Sequence, residues 1–258
     1  MIAEIGLIPV VHALLGSIRV LTMLFSGPVF SHPALPMRIR VTAALMIAWA
    51  ADPGASGAVA SLDWSGASIA LAVATEVMIG LAVGIGAGLV FAGILQLGEF
   101  LAIQGGLAAA QAIDPASGAP SVAIGTALNT LAMMIFLAIG GHHELIRGID
   151  LSFDALPIGG GLPDVGILMR IATLGSVIFE IAFRFAAPVT VVIFVQNVVT
   201  GVLGRVMPQL NLLLVNLPLH AGILFLMLGL GASELVGVFK QLVESWPSRI
   251  FAILLGGA

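Results

Sequence analysis

The chain has 258 residues, of which 60% are hydrophobic and only 9% are charged, whereas a typical soluble domain has about 25% charged residues. Because so few charges cannot cover a water-facing surface, the composition predicts an integral membrane protein. The net charge of −4 comes without a basic cluster, which excludes an electrostatic nucleic-acid interface. The absence of cysteine excludes disulfides, thiolate catalysis and cysteine-type metal sites.

Six apolar stretches predict the membrane helices in chain order, at residues 5–25, 39–51, 69–97, 122–139, 167–199 and 212–230. At about 20 residues per span, they allow roughly five to seven membrane helices. Breaks rich in proline, glycine or polar residues separate them, at 26–40, 52–66, 104–120 and 140–164, and residues 233–258 form an amphipathic tail. No repeat or low-complexity linker divides the chain, so one domain over residues 1–258 is expected.

Two of these stretches have unusual lengths for simple membrane spans. Residues 39–51 are short for a crossing. Residues 68–103 contain no proline, and as one helix they would measure about 54 Å, far beyond a hydrocarbon core of roughly 30 Å. The longer stretch therefore either tilts and protrudes or breaks at its glycines.

Small residues recur in the same stretch, at Gly80, Gly84 and Gly88. A spacing of four places them on one helix face and lets another helix backbone approach closely. The spacing leaves open whether that second helix belongs to this chain or to another subunit.

Isolated polar residues lie within or beside the apolar stretches. Glu180 and Arg184 are four residues apart, in the order that favours an ion pair along a helix. This pair either neutralises itself or faces a wet lumen. A subunit interface or a lumen is expected to hold the whole set of such residues: Arg19, Glu76, Glu99, Glu180, Arg184, Arg205, Gln209 and Asn211.

No motif indicates an enzyme. His142, His143 and Glu144 lack the His-Glu-x-x-His spacing of zinc proteases, so a loop or interfacial role is expected for them. The chain has no Gly-x-Ser-x-Gly elbow, Walker A sequence or dinucleotide fingerprint. We therefore expect no catalytic activity, no metal and no cofactor.

Residues 205–219 carry two prolines, two asparagines, a glutamine and an arginine between two very apolar stretches. Polar groups at membrane depth must find partners inside protein or at a wet cavity, so this segment predicts a protein-lined or water-lined site. Prolines here and elsewhere predict helix breaks, at Pro28, Pro36, Pro188, Pro208 and Pro218.

Residues 104–120 are rich in glycine and alanine and join two long apolar helices. The Asp114-Pro115 pair is a turn signal. The segment suits either a surface loop or a re-entrant loop that lines or plugs a pore, where non-helical backbone is tolerated at depth. The candidate plug residues are Gln104, Gly105, Gly106, Leu107, Ala110, Ile113, Asp114 and Pro115.

Four segments, in order along nearly the whole chain, resemble the FliR family, the export-gate proteins of flagella, which are related to the SctT proteins of injectisomes. They contain Arg19 to Pro28 with Pro33, Pro36, Arg38 and Arg40; Gly98-Glu99, Gln104-Gly105-Gly106-Leu107 and Asp114-Pro115; Gly141-His142, Leu145, Ser152-Phe153 and Pro157; and Ala187-Pro188, Asn197, Gly201, Arg205, Pro208-Gln209-Leu210-Asn211 and Pro218-Leu219. The last segment is the most specific. Where family members often have bulkier residues, this chain has Ala108, Ala109, Ala110 and Gln111, so any seal here must rest on Leu107, Ile113 or a partner.

The resemblance implies an all-α fold of integral-membrane helical hairpins with apolar helices broken at proline and glycine. Such a protein functions only within a hetero-oligomeric helical assembly of the bacterial inner membrane, at the flagellar basal body. FliP-like and FliQ-like subunits are the implied partners in a channel for unfolded flagellar proteins, and a FlhB-like protein is the implied neighbour. The segment at 104–120 corresponds to a loop inside the closed channel of the family.

Three other functions stay open at this point. One is the injectisome SctT-type branch of the same family. Another is a secondary transporter with broken helices around a midplane site, although no inverted-repeat hydropathy is apparent. The third is a purely structural scaffold, which would tolerate changes in residues 104–120.

Overall fold

The computed structural model describes residues 2–51, 65–106, 120–159, 166–207, 209 and 212–254. The regular structure of these residues is α-helical, which confirms the expected all-α class. The helices are α1 (Ile2–Ser26), α2 (Met37–Ala51), α3 (Gly66–Gln104), α4 (Pro120–Ala138), α5 (Gly141–Ala155), α6 (Gly166–Val206) and α7 (Leu212–Leu254).

Four segments within the described residues are long and apolar enough to cross a membrane: Pro9–Ser26, Gly66–Gln104, Ala182–Val206 and Val215–Trp246. A bent pair, Ile124–Ala138 with Gly141–Ala155, raises the number to five if it counts as one span. This reaches only the lower end of the expected range, since α2 is as short as its sequence indicated. The chain is a multi-pass membrane protein.

The long third stretch forms one continuous helix. α3 has 39 residues, and at 1.5 Å per residue it is about 58 Å long. The expected alternative of a break at its glycines is therefore wrong. Gly80 and Gly84 instead lie in contact with α1, so their small size serves helix packing and not a bend.

The predicted helix breaks are only partly observed. Pro28 and Pro36 lie in the connection between α1 and α2, where one helix has ended and the next begins. The breaks expected at Pro188 and Pro218 are absent, because α6 and α7 continue through them. A proline removes one hydrogen bond from a long helical ladder, and membrane helices tolerate this loss when neighbouring groups satisfy the freed carbonyl. Pro208 lies outside the described residues.

A helix also occupies the region that was expected to be a break at 140–164. The buried residues of α5 lie on one face at helical spacing, and they are Gly141, Leu145, Gly148, Ile149, Ser152 and Phe153. The opposite face is polar, so a search for long apolar stretches does not find this helix. The amphipathic residues beyond 233 likewise continue α7 as far as Leu254.

The chain divides into two compact units. The first comprises Met1–Leu89, Phe136–Gly175 and Leu242–Ala258, and the second comprises Val90–Ile135 and Ser176–Gln241. In the first unit, α1 packs against α2, and α2 contacts α5. The core of the second unit brings residues of α3, α6 and α7 together: Leu97, Leu101, Ala182, Ala186, Val189, Ile193 and Leu224.

Candidate functional site

Arg19 on α1 and Glu76 on α3 form a fully buried ion pair in the first unit. The Arg19 Nε lies 2.6 Å from Glu76 Oε2, and both side chains are 0% exposed. The sequence suggested that both residues face a partner or a lumen, but they face each other. Their positions are 57 residues apart in the chain, so only the packing of α1 against α3 reveals the pair.

The same arginine also donates hydrogen bonds to backbone carbonyls at the end of α5. Its Nη1 donates to the Ser152 carbonyl at 2.8 Å, and its Nη2 donates to the Leu156 carbonyl at 2.8 Å. These carbonyls lie at the C-terminal end of α5, where a positive charge is favourable, and the Ser152 carbonyl also accepts the Leu156 amide at 3.0 Å. Glu76 Oε1 accepts the Gly159 amide at 3.3 Å, so the ion pair holds three segments of the chain together.

Small residues allow α1 and α3 to come this close. A Cβ atom added at Gly80 would collide with Thr22 and the Arg19 carbonyl, and one at Gly84 would collide with Ser26 and lie 2.8 Å from the Met23 carbonyl. Packing within the chain therefore explains these two glycines. At Gly88 the nearest atom would be the Ser26 carbonyl oxygen at 3.7 Å, an ordinary contact.

The first residues of the candidate plug segment lie in the second unit. Gln104 Nε2 donates to Thr190 Oγ1 on α6 at 3.2 Å. A Cβ at Gly105 would lie 2.7 Å from the Leu224 side chain on α7, and Gly106 adopts a left-handed backbone with φ of +74°. The end of α3 is thus attached to both α6 and α7. The other candidate plug residues, Leu107, Ala110, Ile113, Asp114 and Pro115, lie outside the described residues.

Side-chain hydrogen bonds join α6 to α7 as an antiparallel hairpin. Gln196 Nε2 donates to Asn216 Oδ1 at 3.0 Å, and His220 Nε2 lies 3.0 Å from Asn197 Oδ1. Gln196 Nε2 also donates to Thr200 Oγ1 at 3.1 Å. Polar side chains inside a membrane protein need hydrogen-bond partners. Sequence analysis anticipated polar partners in the segment 205–219 but did not identify Gln196 or His220.

The remaining candidate polar residues are not brought together in one site. Glu180, Arg184, Arg205 and Gln209 are exposed, and Glu99 is partly buried. Within the described part of the chain, Glu180 and Arg184 form no ion pair with each other, so the self-neutralising alternative is not realised. Asn211 lies outside the described residues.

α6 and α7 present broad apolar surfaces. Large side chains on both helices are more than half exposed, among them Phe183 at 59%, Phe194 at 66%, Phe225 at 61% and Leu230 at 71%. Exposed apolar surface of this extent marks contact with lipid or with another protein.

Of the expected loop or interfacial role, the loop position is wrong, because the histidine pair lies on α5, and the interfacial role stays a prediction. His142 and His143 are in its first turn, with ring centroids 4.1 Å apart. Across the residues that the structure describes, no group of three potential ligands is arranged to hold a metal ion.

A model of the family "Bacterial export proteins, family 1" matches residues 10–246, nearly the whole chain. The flagellar biosynthetic protein FliR of Escherichia coli K12 is 30% identical over 202 residues, which cover 78% of this chain and 77% of the relative. The chain belongs to the FliR family of bacterial export proteins. FliR of Caulobacter vibrioides is 30% identical over 86% of this chain and 89% of its own length. FliR of Bacillus subtilis is 35% identical over 59% of this chain and 60% of its own length.

FliR membership confirms the resemblance drawn from the four motif segments. Two of the structural features described above coincide with those segments. Arg19 of the buried ion pair belongs to the first of those segments, and the α6–α7 hairpin contains the most specific one. In this FliR-family chain, the Arg19–Glu76 ion pair is buried in the first unit. The α6–α7 hairpin carries exposed apolar surface in the second unit.

Proposed function

We propose that this chain is a subunit of a flagellar-type protein export gate in the bacterial inner membrane. Together with FliP-like and FliQ-like subunits it forms the channel through which unfolded flagellar proteins pass, and a FlhB-like protein contacts the assembly. The relatives are flagellar biosynthetic proteins, which favours the flagellar branch over the injectisome branch. The chain itself does not catalyse a reaction, and partner proteins supply the energy for export.

The observation that carries this proposal is the mixed surface of α6. Phe183 and Phe194 are exposed on a helix that also exposes Glu180, Arg184 and, at its last turn, Arg205. Charges on a purely lipid-facing helix are costly, because the hydrocarbon offers them no partner. Neighbouring subunits or a wet lumen provide such partners, and partner helices also cover the apolar residues.

The segment 104–120 is proposed to close this channel at rest and to move when a substrate arrives. Gln104 and Gly105 attach its beginning to α6 and α7, and the left-handed Gly106 lets the chain change direction there. Leu107 and Ile113 are the largest apolar side chains of the segment, so the seal is assigned to them.

Deletion of residues 107–113 tests the closing role. We expect the assembled gate that carries this deletion to leak ions in reconstituted vesicles or across the cell membrane. A deletion of equal length at residues 55–61 is the matched control, and its gate should stay ion-tight. A 107–113 deletion that assembles normally and conducts no ions contradicts the proposed role.

A further inference from the structure

A largely apolar cavity of about 390 Å³, open to the surface on one side, lies in the second unit between α6, α7 and the last part of α3. Its apolar lining includes Leu97 and Leu101 of α3, Val189 of α6 and Leu228 of α7. The largely apolar lining suits a chain of methylene groups, because burial of apolar surface from water is favourable.

Two opposite charges line the same cavity. Arg184 comes from α6 and Glu234 comes from α7, and both side chains are exposed. No ion pair joins them within the described residues, so each is available to a ligand. A guanidinium binds phosphate oxygens through two parallel hydrogen bonds, and a carboxylate accepts hydrogen bonds from an ammonium group.

The position of these charges in the hairpin matches the edge of a bilayer. Arg184 lies roughly 33 Å before the end of α6 at Val206, and Glu234 lies roughly 33 Å after the start of α7 at Leu212. A hydrocarbon core is about 30 Å thick. A hairpin with its exposed Gln209 turn at one interface would place Arg184 and Glu234 at the level of the opposite headgroups.

We propose that this cavity binds one phospholipid with an ammonium headgroup, of the phosphatidylethanolamine class. Arg184 binds its phosphate, Glu234 binds its ammonium, and one acyl chain lies along Val189 and Leu228. A helix of a partner subunit is the competing occupant, and loss of the lipid in the assembled complex would reveal it. This assignment gives Arg184 a lipid partner, so Glu180 and Arg205 are the charges of α6 that the proposed export function leaves to partner subunits or a lumen.

Native mass spectrometry of the full-length chain tests the site. The chain is purified in mild detergent, exchanged into micelles containing phosphatidylethanolamine or phosphatidylglycerol, and examined for retained lipid. We expect one phosphatidylethanolamine per chain, and at least tenfold less phosphatidylglycerol. Arg184→Gln should lower the retention of both lipids at least tenfold. Glu234→Gln should abolish the preference between them while a phospholipid still binds.

Two further variants make the result specific. Glu180→Gln changes a charge one turn from Arg184 that does not line the cavity, so its lipid retention should equal that of the unmodified chain. Gly231→Leu fills the cavity, and because no atom lies within 4 Å of a Cβ built there, the fold should accept it. This variant should lose the lipid although both charges remain.

Three results would overturn the proposal. One is the absence of retained lipid on the unmodified chain, and another is unchanged retention in both Arg184→Gln and Gly231→Leu. The third is loss of the lipid when the chain is co-expressed with its partner subunits, since a partner would then fill the cavity. A single retained lipid in the assembled complex supports the site.

Discussion

Arg19 shows how a charged residue can be stable inside a membrane protein. Its guanidinium is fully buried, but Glu76 neutralises it and the carbonyls of Ser152 and Leu156 accept its hydrogen bonds. The Phe153 ring lies 4.7 Å from its Cζ atom, close enough for a cation–π contact. Burial of a charge is tolerated here because every side of it meets a partner.

Removing this arginine should destabilise the protein strongly. Arg19→Ala leaves the Glu76 carboxylate buried without a counter-charge, and such a change typically costs about 3–5 kcal/mol. The measurement is thermal unfolding of the detergent-solubilised chain. Arg38→Ala is the control, since Arg38 is exposed, and surface changes usually stay within about 0.5 kcal/mol. Equal melting of the two variants would show that the buried pair does not stabilise the fold.

Arg205 should behave differently, because it is exposed at the last turn of α6. If a partner subunit buries it, Arg205→Ala leaves acceptors of that partner unsatisfied, at a cost of a few kcal/mol. We expect less FliP-like subunit to co-purify with this variant, while the melting of the isolated chain stays unchanged. Arg147→Ala, another exposed arginine, is the control. Full co-purification of Arg205→Ala would exclude the interface role and favour a lumen role.

At the scale of elements, α1 and α3 pack closely at the glycines of α3. Gly84→Ala places a methyl group 2.8 Å from the Met23 carbonyl and 3.0 Å from the Gly27 amide, so one backbone must shift. Overpacking of this kind costs about 1–3 kcal/mol. The melting temperature should fall accordingly. Gly222→Ala on α7, where nothing lies within 4 Å, should be neutral or slightly stabilising, and a similar loss there would refute the packing argument.

Much of the helical architecture could be predicted from apolar stretches, because membrane helices must carry such stretches. The short α5 could not, since Leu145, Ile149 and Phe153 bury only one face and the rest is polar. Proline gave a poor indication of helix ends within membrane helices, as α6 continues through Pro188. A single proline lowers the stability of a long helix without determining its end.

The candidate site could also be predicted only in part from the sequence, but for a different reason. Single residues such as Arg19 and Glu76 could be recognised as unusual from their apolar surroundings. Their mutual pairing could not, because it depends on how α1 and α3 pack. The Gln196–Asn216 hydrogen bond between α6 and α7 likewise requires the register of a hairpin that the sequence does not specify.

At the scale of the whole molecule, the chain leaves a large apolar surface on α6 and α7. Phe194 and Leu230, for example, are 66% and 71% exposed. Membrane helices associate through close packing and interhelical hydrogen bonds, and exposed charges such as Arg184 and Arg205 require partners as well. This surface is the physical reason to expect that the FliR-family chain works inside an assembly.

The most direct test of this account is an affinity purification of the chain in mild detergent after co-expression with its neighbouring membrane genes. The mass of the intact eluate is then measured. The account predicts one large complex that contains a single copy of this chain and several copies of two smaller membrane proteins. A stable monomer or dimer without partners would contradict it, and uptake of small solutes by that species in vesicles would indicate a transporter instead.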